Sequence, residues 1–288
     1  MAAAAPCAHS PIALMSREMT LRPGPVPQDL GGRPVLPGQH RLEGDSYVLR
    51  ASHVAFHYRR GEGLVVERTG AGPDDAEELL LHGSVYAAVA SLNGFMPLHA
   101  SAIAAGGAVV AFTGPSGAGK STLVAGLARL GFPLFCDDTL VLDIAGPGPV
   151  RCLPGHKRMK LWLDAAELVG APPQGLVSAD YPKYYVTATG GDVAEILSLA
   201  GLVFLEEGAA QQLVPVTGGE KIARFDDDHY TRALFDQATR HTAAERFALH
   251  ARIAAQVRMA RFVRPLRRED FDDSLRFLAA RLLDMVAP

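Results

Sequence analysis

The segment GPSGAGKS, residues 114–121, decides the fold of this chain. It fits the pattern G-x-x-x-x-G-K-[ST], a glycine-rich loop that joins a strand to a helix and holds phosphate groups. Residues 108–112 (AVVAF) before it have a buried-strand pattern, and residues 122–128 (TLVAGLA) after it have a helical one. Because the pattern and both flanks agree, we predict a P-loop rather than a chance glycine-rich turn. The predicted phosphate-binding residues are Gly114, Pro115, Ser116, Gly117, Ala118, Gly119, Lys120, Ser121 and Thr122.

The residue types of this loop suit nucleotide chemistry. Its glycines allow the backbone N–H groups to point inward at an anion, and the amino end of the following helix adds a favourable dipole. Lys120 is placed to contact the β- and γ-phosphates, and the Ser121 hydroxyl is a ligand for Mg²⁺. We therefore expect ATP and Mg²⁺ as cofactors.

Two adjacent aspartates follow the next apolar segment. Asp137 and Asp138 come after residues 133–136, where a strand is expected to end. Phosphoryl transfer to an alcohol requires a carboxylate near the metal and a group that accepts the hydroxyl proton. Adjacent residues at a strand end point in different directions, so one aspartate is available for each role; the alternative is a capping pair at the start of a loop. His99, in residues 98–102 (LHASA), is a third candidate, and its alternative is a hydrogen-bonded core histidine.

Together these features resemble the HPr kinase/phosphorylase family, a relative of phosphoenolpyruvate carboxykinase. His99 stands 21 residues before Lys120, the loop reads GxSGxGKS, and the aspartates follow an R-x-G stretch. The resemblance implies an α/β fold with a P-loop core, a small β-rich amino-terminal element and carboxy-terminal helices. It also implies that Asp138 accepts the proton of the substrate hydroxyl, that Asp137 and Ser121 serve the metal, and that His99 and Lys120 act at the reacting phosphoryl group.

In overall shape the chain looks closest to a shorter HPr-kinase-like group, which includes kinases of the carboxy-terminal serine of lasso-peptide precursors. The matching features are residues 92–97 (LNGFMP) before LHAS and the run RMKLW at residues 158–162. Basic residues here suit an anionic acceptor or the ATP phosphates, and the alternative is a solvated helix start. Arg158, Lys160 and the later Lys183 are therefore candidate substrate or phosphate contacts. The downstream acidic metal ligand and the catalytic arginine of the family match no motif in this chain.

These patterns predict an ATP-dependent kinase that acts on a serine or threonine hydroxyl of a peptide or small protein, with a lasso-type peptide as the implied substrate. Three alternatives stay open: an HPr-like protein serine kinase/phosphorylase of phosphotransferase regulation, a small-molecule kinase, and an ATP-sensing regulator without catalysis. The resemblance is also compatible with a homo-oligomer.

The amino-acid composition argues against several classes of binding partner. Hydrophobic residues make up 48% of the 288 residues, which is enough for a sizeable core, and the net charge of −3 gives no general attraction to nucleic acid or anionic membranes. No apolar run approaches the ~18 residues that span a bilayer, and the amino-terminal tract lacks the basic residues of a signal peptide. The three cysteines have neither metal-ligand nor CxxC spacing. We expect a cytoplasmic protein with no nucleic-acid or membrane partner.

The chain is expected to divide into an amino-terminal β/α lead-in region, residues 1–94, and a kinase domain, residues 95–288. Residues 1–40 are rich in proline and glycine, which predicts irregular structure, and Gly106-Gly107 predicts a tight turn. Strands are predicted at residues 47–50, 53–58, 64–67, 98–105, 108–112, 134–135, 140–142 and 196–205. Helices are predicted at residues 74–93, 121–130 and 160–169, with two or three more over residues 231–286, separated near Arg264.

Overall fold

The computed structural model describes residues 10–70, 74–178, 181–191, 193–225 and 229–286. In these residues the α-helices are Pro11–Glu18 (α1), Asp74–Leu80 (α2), Tyr86–Leu92 (α3), Lys120–Arg129 (α4), Leu163–Val169 (α5), Gly219–Ala223 (α6), Tyr230–Thr239 (α7), Ala243–Gln256 (α8) and Phe271–Val286 (α9). The strands are Leu21–Pro23 (β1), Asp29–Leu30 (β2), Arg33–Pro34 (β3), Gln39–Glu43 (β4), Ser46–Arg50 (β5), Val54–Arg59 (β6), Gly63–Arg68 (β7), Met96–His99 (β8), Ser101–Ala105 (β9), Ala108–Thr113 (β10), Leu134–Cys136 (β11), Thr139–Asp143 (β12), Arg151–Leu153 (β13), Arg158–Trp162 (β14), Gly175–Ser178 (β15), Tyr181–Thr187 (β16), Leu197–Glu207 (β17), Gln212–Val216 (β18) and Arg258–Arg264 (β19). A π-helical turn, Leu81–Val85, joins α2 to α3, and a 3-10 turn, Arg268–Asp270, precedes α9. Among the described helices, none combines the length and the apolar character that crossing a membrane requires.

The strand that leads into the P-loop lies in the middle of a large sheet. β10 pairs in parallel with β17 and antiparallel with β9, and β17 pairs in parallel with β19. Both faces of β10 are covered: Val110 and Phe112 pack with residues of α4 and α9, whereas Val109 and Ala111 pack with residues of α7 and α8. This double burial explains why the run AVVAF shows no polar alternation. The expected α/β class is confirmed.

The chain turns sharply on each side of His99. The predicted tight turn is present: Gly106 and Gly107 have φ values of 54° and 78° and join β9 to β10 as a hairpin. The single strand expected over residues 98–105 is wrong, because β8 and β9 separate at Ala100. β8 pairs with β12, whereas β9 pairs with β10 and β11, so the chain changes partners at this residue. As a result His99 ends β8, opposite Thr139 of β12.

Residues 10–40 are more regular than expected, and residues 1–9 lie outside the described part. Helix α1 begins with Pro11, which suits a first helical turn because it lacks an N–H group that would have no helical partner there. At its end the buried carboxylate of Glu18 accepts hydrogen bonds from Tyr58 Oη (2.7 Å) and Gly61 N (3.0 Å). These bonds attach α1 to a five-stranded sheet with the order β1-β7-β6-β5-β4. The sequence pattern missed α1 because the helix is only eight residues long.

The amino-terminal strands and helix that were predicted are present, whereas strand β4 was not predicted. The three short strands are β5, β6 and β7, and the helix expected over residues 74–93 is α2, the π turn and α3 in succession. Tyr47 and Phe56 of this sheet share a buried cluster with Val141 and Leu234 from the later part of the chain. The division into two domains at residue 94 stays a prediction.

Two predicted helical regions contain strands instead. Residues 158–162 form β14 rather than a helix start, because buried Met159 and Leu161 alternate with more exposed neighbours at the period of a strand. The helix there is restricted to α5. In the last third of the chain, β19 lies between α8 and α9 and pairs in parallel with β17. Its run RMARFVR alternates in burial, which the expectation of helices throughout this region overlooked.

Candidate active site

The P-loop curves tightly between β10 and α4. Gly114, Gly117 and Gly119 have φ values of 151°, 85° and 80°, a region that favours glycine. Two of these glycines also lie against neighbouring segments. A methyl group on Gly114 would lie 3.0 Å from the carbonyl oxygen of Leu205, and one on Gly119 would lie 2.8 Å from Arg264 Nη2. Glycine is therefore required here for both curvature and space.

Lys120, the first residue of α4, folds back across this loop. Its Nζ donates hydrogen bonds to the carbonyl oxygens of Gly114 (2.9 Å) and Pro115 (3.2 Å), and the residue is 7% exposed. These bonds hold the ammonium group at the loop, beside the amino end of α4, where an anion is favoured. Ser121 and Thr122 follow in the first turn of the same helix.

Two cavities adjoin the loop, one on each side. The first, of about 350 Å³, is lined by residues that the sequence predicted for three roles: His99, Lys120 and Asp138 for catalysis, Ser121 and Thr122 for the nucleotide and its metal, and Lys160 and Lys183 for substrate or phosphate contacts. The second, of about 710 Å³, is lined by residues 114–118 and 204–207 together with Leu266. Ser116 and Gly117 line both cavities, so the P-loop forms the boundary between them.

Asp138 is held in a strained turn at the first cavity. It has a φ of 70°, and Thr139 N donates a hydrogen bond of 2.9 Å to the carbonyl oxygen of Asp137, as in a γ-turn centred on Asp138. Its Oδ2 lies 3.4 Å from Lys160 Nζ, and its Oδ1 lies 3.5 Å from His99 Nδ1. Burial alone would raise the pKa of this carboxyl group, but the charge of Lys160 and its hydrogen bond outweigh burial and lower the pKa. Asp138 is therefore ionised at neutral pH.

Asp137 lies behind its neighbour. It is 4% exposed, its Oδ1 accepts a hydrogen bond from Ser101 Oγ (2.6 Å), and its Oδ2 accepts one from Lys160 N (3.3 Å). These bonds connect the aspartate pair to β9 and β14. Of the pair, Asp138 is the residue that lines the cavity, and the metal role of Asp137 stays a prediction.

His99 is neutral in this setting. Burial and the positive charge of Lys120 lower its pKa to about 4, although Asp138 acts in the opposite direction. Its ring stacks on that of His229, with centroids 3.8 Å apart and planes 2° apart. Its Nδ1 also lies 3.1 Å from the carbonyl oxygen of Asp138. His99 thus contacts both the backbone and the carboxylate of Asp138.

The basic residues predicted as contacts divide into two groups. Lys160 and Lys183 line the first cavity, and Lys183 Nζ lies 5.6 Å from the ring centre of Trp162. Arg158 instead forms an ion pair with Glu78 and lies over the ring of Tyr185, 3.7 Å from its centre. The structure therefore brings the two lysines to the site and directs Arg158 away from it.

Arg264 is a site residue that the sequence did not reveal. It ends β19, is 5% exposed, and donates a hydrogen bond from Nη2 to the carbonyl oxygen of Ala118 in the P-loop (2.9 Å). Its Nε has no hydrogen-bond partner among the described residues, and burial lowers its pKa to about 10. The alternating pattern of β19 could have placed Arg264 at the end of a strand, but not beside the loop. No comparable signal marks His229.

Comparisons with known proteins find similarity among solved structures alone. No protein-family model matches the chain, and no curated protein matches it. Among solved structures, the HPr(Ser) kinase/phosphatase from Coxiella burnetii is similar, with a TM-score of 0.33 and 12% sequence identity. The similarity covers 66% of this chain and 92% of that one. At this level of identity and superposition no residue role or activity transfers, and the narrower resemblance to lasso-peptide kinases stays a prediction.

Proposed function

We propose that this chain is an ATP-dependent kinase that phosphorylates a serine or threonine hydroxyl of a peptide or small protein. The observation that carries the proposal is the cavity that Lys120 of the P-loop shares with the ionised carboxylate of Asp138. A P-loop lysine stabilises a transferring phosphoryl group, and a carboxylate beside it orients an alcohol and accepts its proton. One cavity therefore contains a group for the phosphate donor, Lys120, and a group for the alcohol acceptor, Asp138.

The residues at this cavity fit Mg²⁺ and ATP. The Ser121 hydroxyl supplies a hard oxygen ligand of the kind that Mg²⁺ prefers, and Asp137, behind Asp138, is the carboxylate predicted to serve the metal. When bound, Mg²⁺ neutralises charge on the phosphate oxygens. The larger cavity on the other side of residues 114–118 has room for the base and ribose, so the triphosphate would follow the loop towards Lys120.

The residues of the chain then have distinct roles in transfer. The substrate oxygen attacks the γ-phosphorus, the bond from that phosphorus to the bridging oxygen of ADP breaks, and the hydroxyl proton passes to Asp138. Because its pKa is lowered, Asp138 is a weak base that orients the hydroxyl and takes the proton late, when bond formation has made it acidic. The neutral imidazole of His99 and the ammonium group of Lys160 hold the carboxylate in position.

The first cavity also favours an anionic acceptor with an apolar neighbour. Lys160 and Lys183 place positive charge around Asp138, and Trp162, 43% exposed, lies on the same wall. A peptide that ends in a serine offers the hydroxyl and a carboxylate close together, and a charge-assisted bond to lysine contributes about 1.5–3 kcal/mol. This chemistry, together with the resemblance to lasso-peptide kinases, supports a carboxy-terminal serine as the acceptor.

The experiment measures transfer of label from γ-labelled ATP in the presence of Mg²⁺. The acceptors are a peptide with a carboxy-terminal serine, the same peptide as its amide, and HPr protein. We expect labelling of the free-acid peptide that depends on Asp138, with Asp138→Asn as the control. Labelling of HPr alone would favour the phosphotransferase-regulation alternative, and ATP hydrolysis without transfer to any acceptor would contradict the proposal.

A further inference from the structure

A second cluster of ligand-type side chains lies outside the cavity. Glu78 is on α2, His82 is in the π turn and His156 precedes β14, and all three are half-buried. One ligand atom from each of them lies within 4.8 Å of those of the other two. The two imidazole rings have centroids 3.8 Å apart, and His156 Nε2 lies 3.7 Å from Glu78 Oε1.

The local structure brings these groups together in two ways. Glu78 and His82 are four residues apart on a continuous helical segment, so their side chains share one face. The segment changes from α to π geometry at Leu81–Val85, a rare turn that is found frequently at functional sites. In addition, Arg158 holds Oε2 of Glu78 in an ion pair while Oε1 is directed at His156. An outer partner that orients a ligand in this way is typical of metal sites.

We propose that Glu78, His82 and His156 bind a divalent transition-metal ion of the zinc class. Two imidazoles and one carboxylate are a donor set that such ions prefer. Mg²⁺ and Ca²⁺ require more oxygen ligands, and the one carboxylate here is already shared with Arg158.

The geometry is close to that of a bound site. With zinc–nitrogen distances of about 2.0–2.1 Å, the ligand atoms of a tetrahedral site lie about 3.3 Å apart. The ligand atoms now lie within 4.8 Å of one another, so the widest separation must shorten by at most about 1.5 Å. Three protein ligands leave a fourth position for water, next to a cavity of about 230 Å³ that His82 and His156 line together with Met15 and Tyr86.

A metal ion at this position would hold the two segments that flank the aspartate pair. The carbonyl oxygen of His156 accepts a hydrogen bond from Asp137 N (3.2 Å). Gly83, next to His82, is so close to the pair that an added methyl group would lie 3.7 Å from Asp138 Oδ2. The metal site would therefore help to position the aspartate pair, through the backbone of His156 and through the segment that contains Gly83.

The test is direct metal binding by the full chain, without an affinity tag and after treatment with a chelator. Zn²⁺ is titrated by calorimetry in the presence of a competing chelator, and Co²⁺ is followed by its visible absorption. We expect one ion per chain with the absorption of a tetrahedral site. His82→Ala and His156→Ala should each weaken binding more than about 100-fold, beyond the loss typical of an outer partner. His53→Ala, which changes an exposed histidine outside the cluster, is the matched control and should bind as the wild type does.

Three results would overturn the proposal. The first is no binding by the wild-type protein, and the second is unchanged binding by the double variant His82→Ala/His156→Ala. The third is loss of binding in His229→Ala only, which would assign the ion to the His99–His229 stack instead. Circular dichroism and thermal unfolding confirm that each variant is folded, and Glu78→Gln, which keeps the shape of the side chain, provides a third ligand variant if an alanine variant does not fold.

Discussion

Replacing Arg264 with methionine tests whether this buried charge serves the fold or the P-loop. Burial lowers the pKa of Arg264 to about 10, which corresponds to about 3 kcal/mol of unfavourable desolvation at 1.36 kcal/mol per pKa unit. Its hydrogen bond to Ala118 offsets about 1.5–3 kcal/mol of this desolvation cost. Nε has no hydrogen-bond partner among the described residues that would offset more of it. Methionine has a similar length and no charge to desolvate. We therefore expect the free energy of unfolding of Arg264→Met to lie within about 1 kcal/mol of the wild-type value or above it.

Activity should respond differently from stability. Arg264 donates a hydrogen bond to the Ala118 carbonyl and lies against Gly119, so its loss should make the P-loop less ordered. We expect both ATP affinity and transfer rate to fall, with a combined loss of at least about tenfold. Urea unfolding followed by circular dichroism, calorimetric ATP binding and labelled transfer measure the three quantities. Arg258→Met, at the exposed start of the same strand, is the control. A loss of more than about 3 kcal/mol of stability with unchanged ATP affinity would refute the reasoning and make Arg264 a structural residue.

Four further predictions concern the first cavity. Lys120→Ala should slow transfer at least about 100-fold without lowering the urea midpoint much, and near-normal turnover would contradict the P-loop assignment. Asp138→Asn should still bind ATP in calorimetry but lose about 10²–10⁴-fold in rate, and an equal loss of ATP affinity would argue against its role as proton acceptor. Because the pKa of His99 is lowered to about 4, its imidazole stays neutral as the pH falls from 8 to 5; kcat/KM should show no inflection near pH 6.5, and finding one would show that His99 titrates normally. Lys183→Met should raise KM for a free-acid peptide more than for its amide, and equal changes would exclude carboxylate docking at this residue.

The sequence predicted the centre of the fold well because the evidence there is local. The P-loop is a contiguous pattern, its strand and helix adjoin it, and Gly106-Gly107 marks the turn before it. The structure places β10, α4 and the hairpin where these patterns indicate. The candidate residues His99, Lys120 and Asp138 also meet in one cavity.

The remaining features depend on contacts between distant segments. β14 and β19 contain residues that also favour helices, and their strand structure depends on pairing with β16 and β17. Arg264 reaches the P-loop only because β19 lies two strands away from β10 in the sheet. Arg158 was expected to contact the substrate or the phosphates, but it pairs instead with Glu78, which is 80 residues away in the sequence. Local residue spacing does not indicate such a distant pair. Pattern and propensity do not determine such pairings.

The backbone conformation of the aspartate pair gives its two identical side chains different surroundings. The sequence predicts that adjacent residues point apart, but it does not say which one faces the cavity. The γ-turn settles this: Asp137 stays in the hydrogen-bond network of β9 and β14, and the positive φ of Asp138 directs its carboxylate at Lys160 and His99. A non-glycine residue in such a conformation costs about 1–3 kcal/mol, a large share of the 5–15 kcal/mol that stabilises a typical domain. Glycine at position 138 would relieve that strain but would remove the carboxylate, so the strained aspartate fits the role that we propose for its carboxylate in phosphoryl transfer better than a role in the fold.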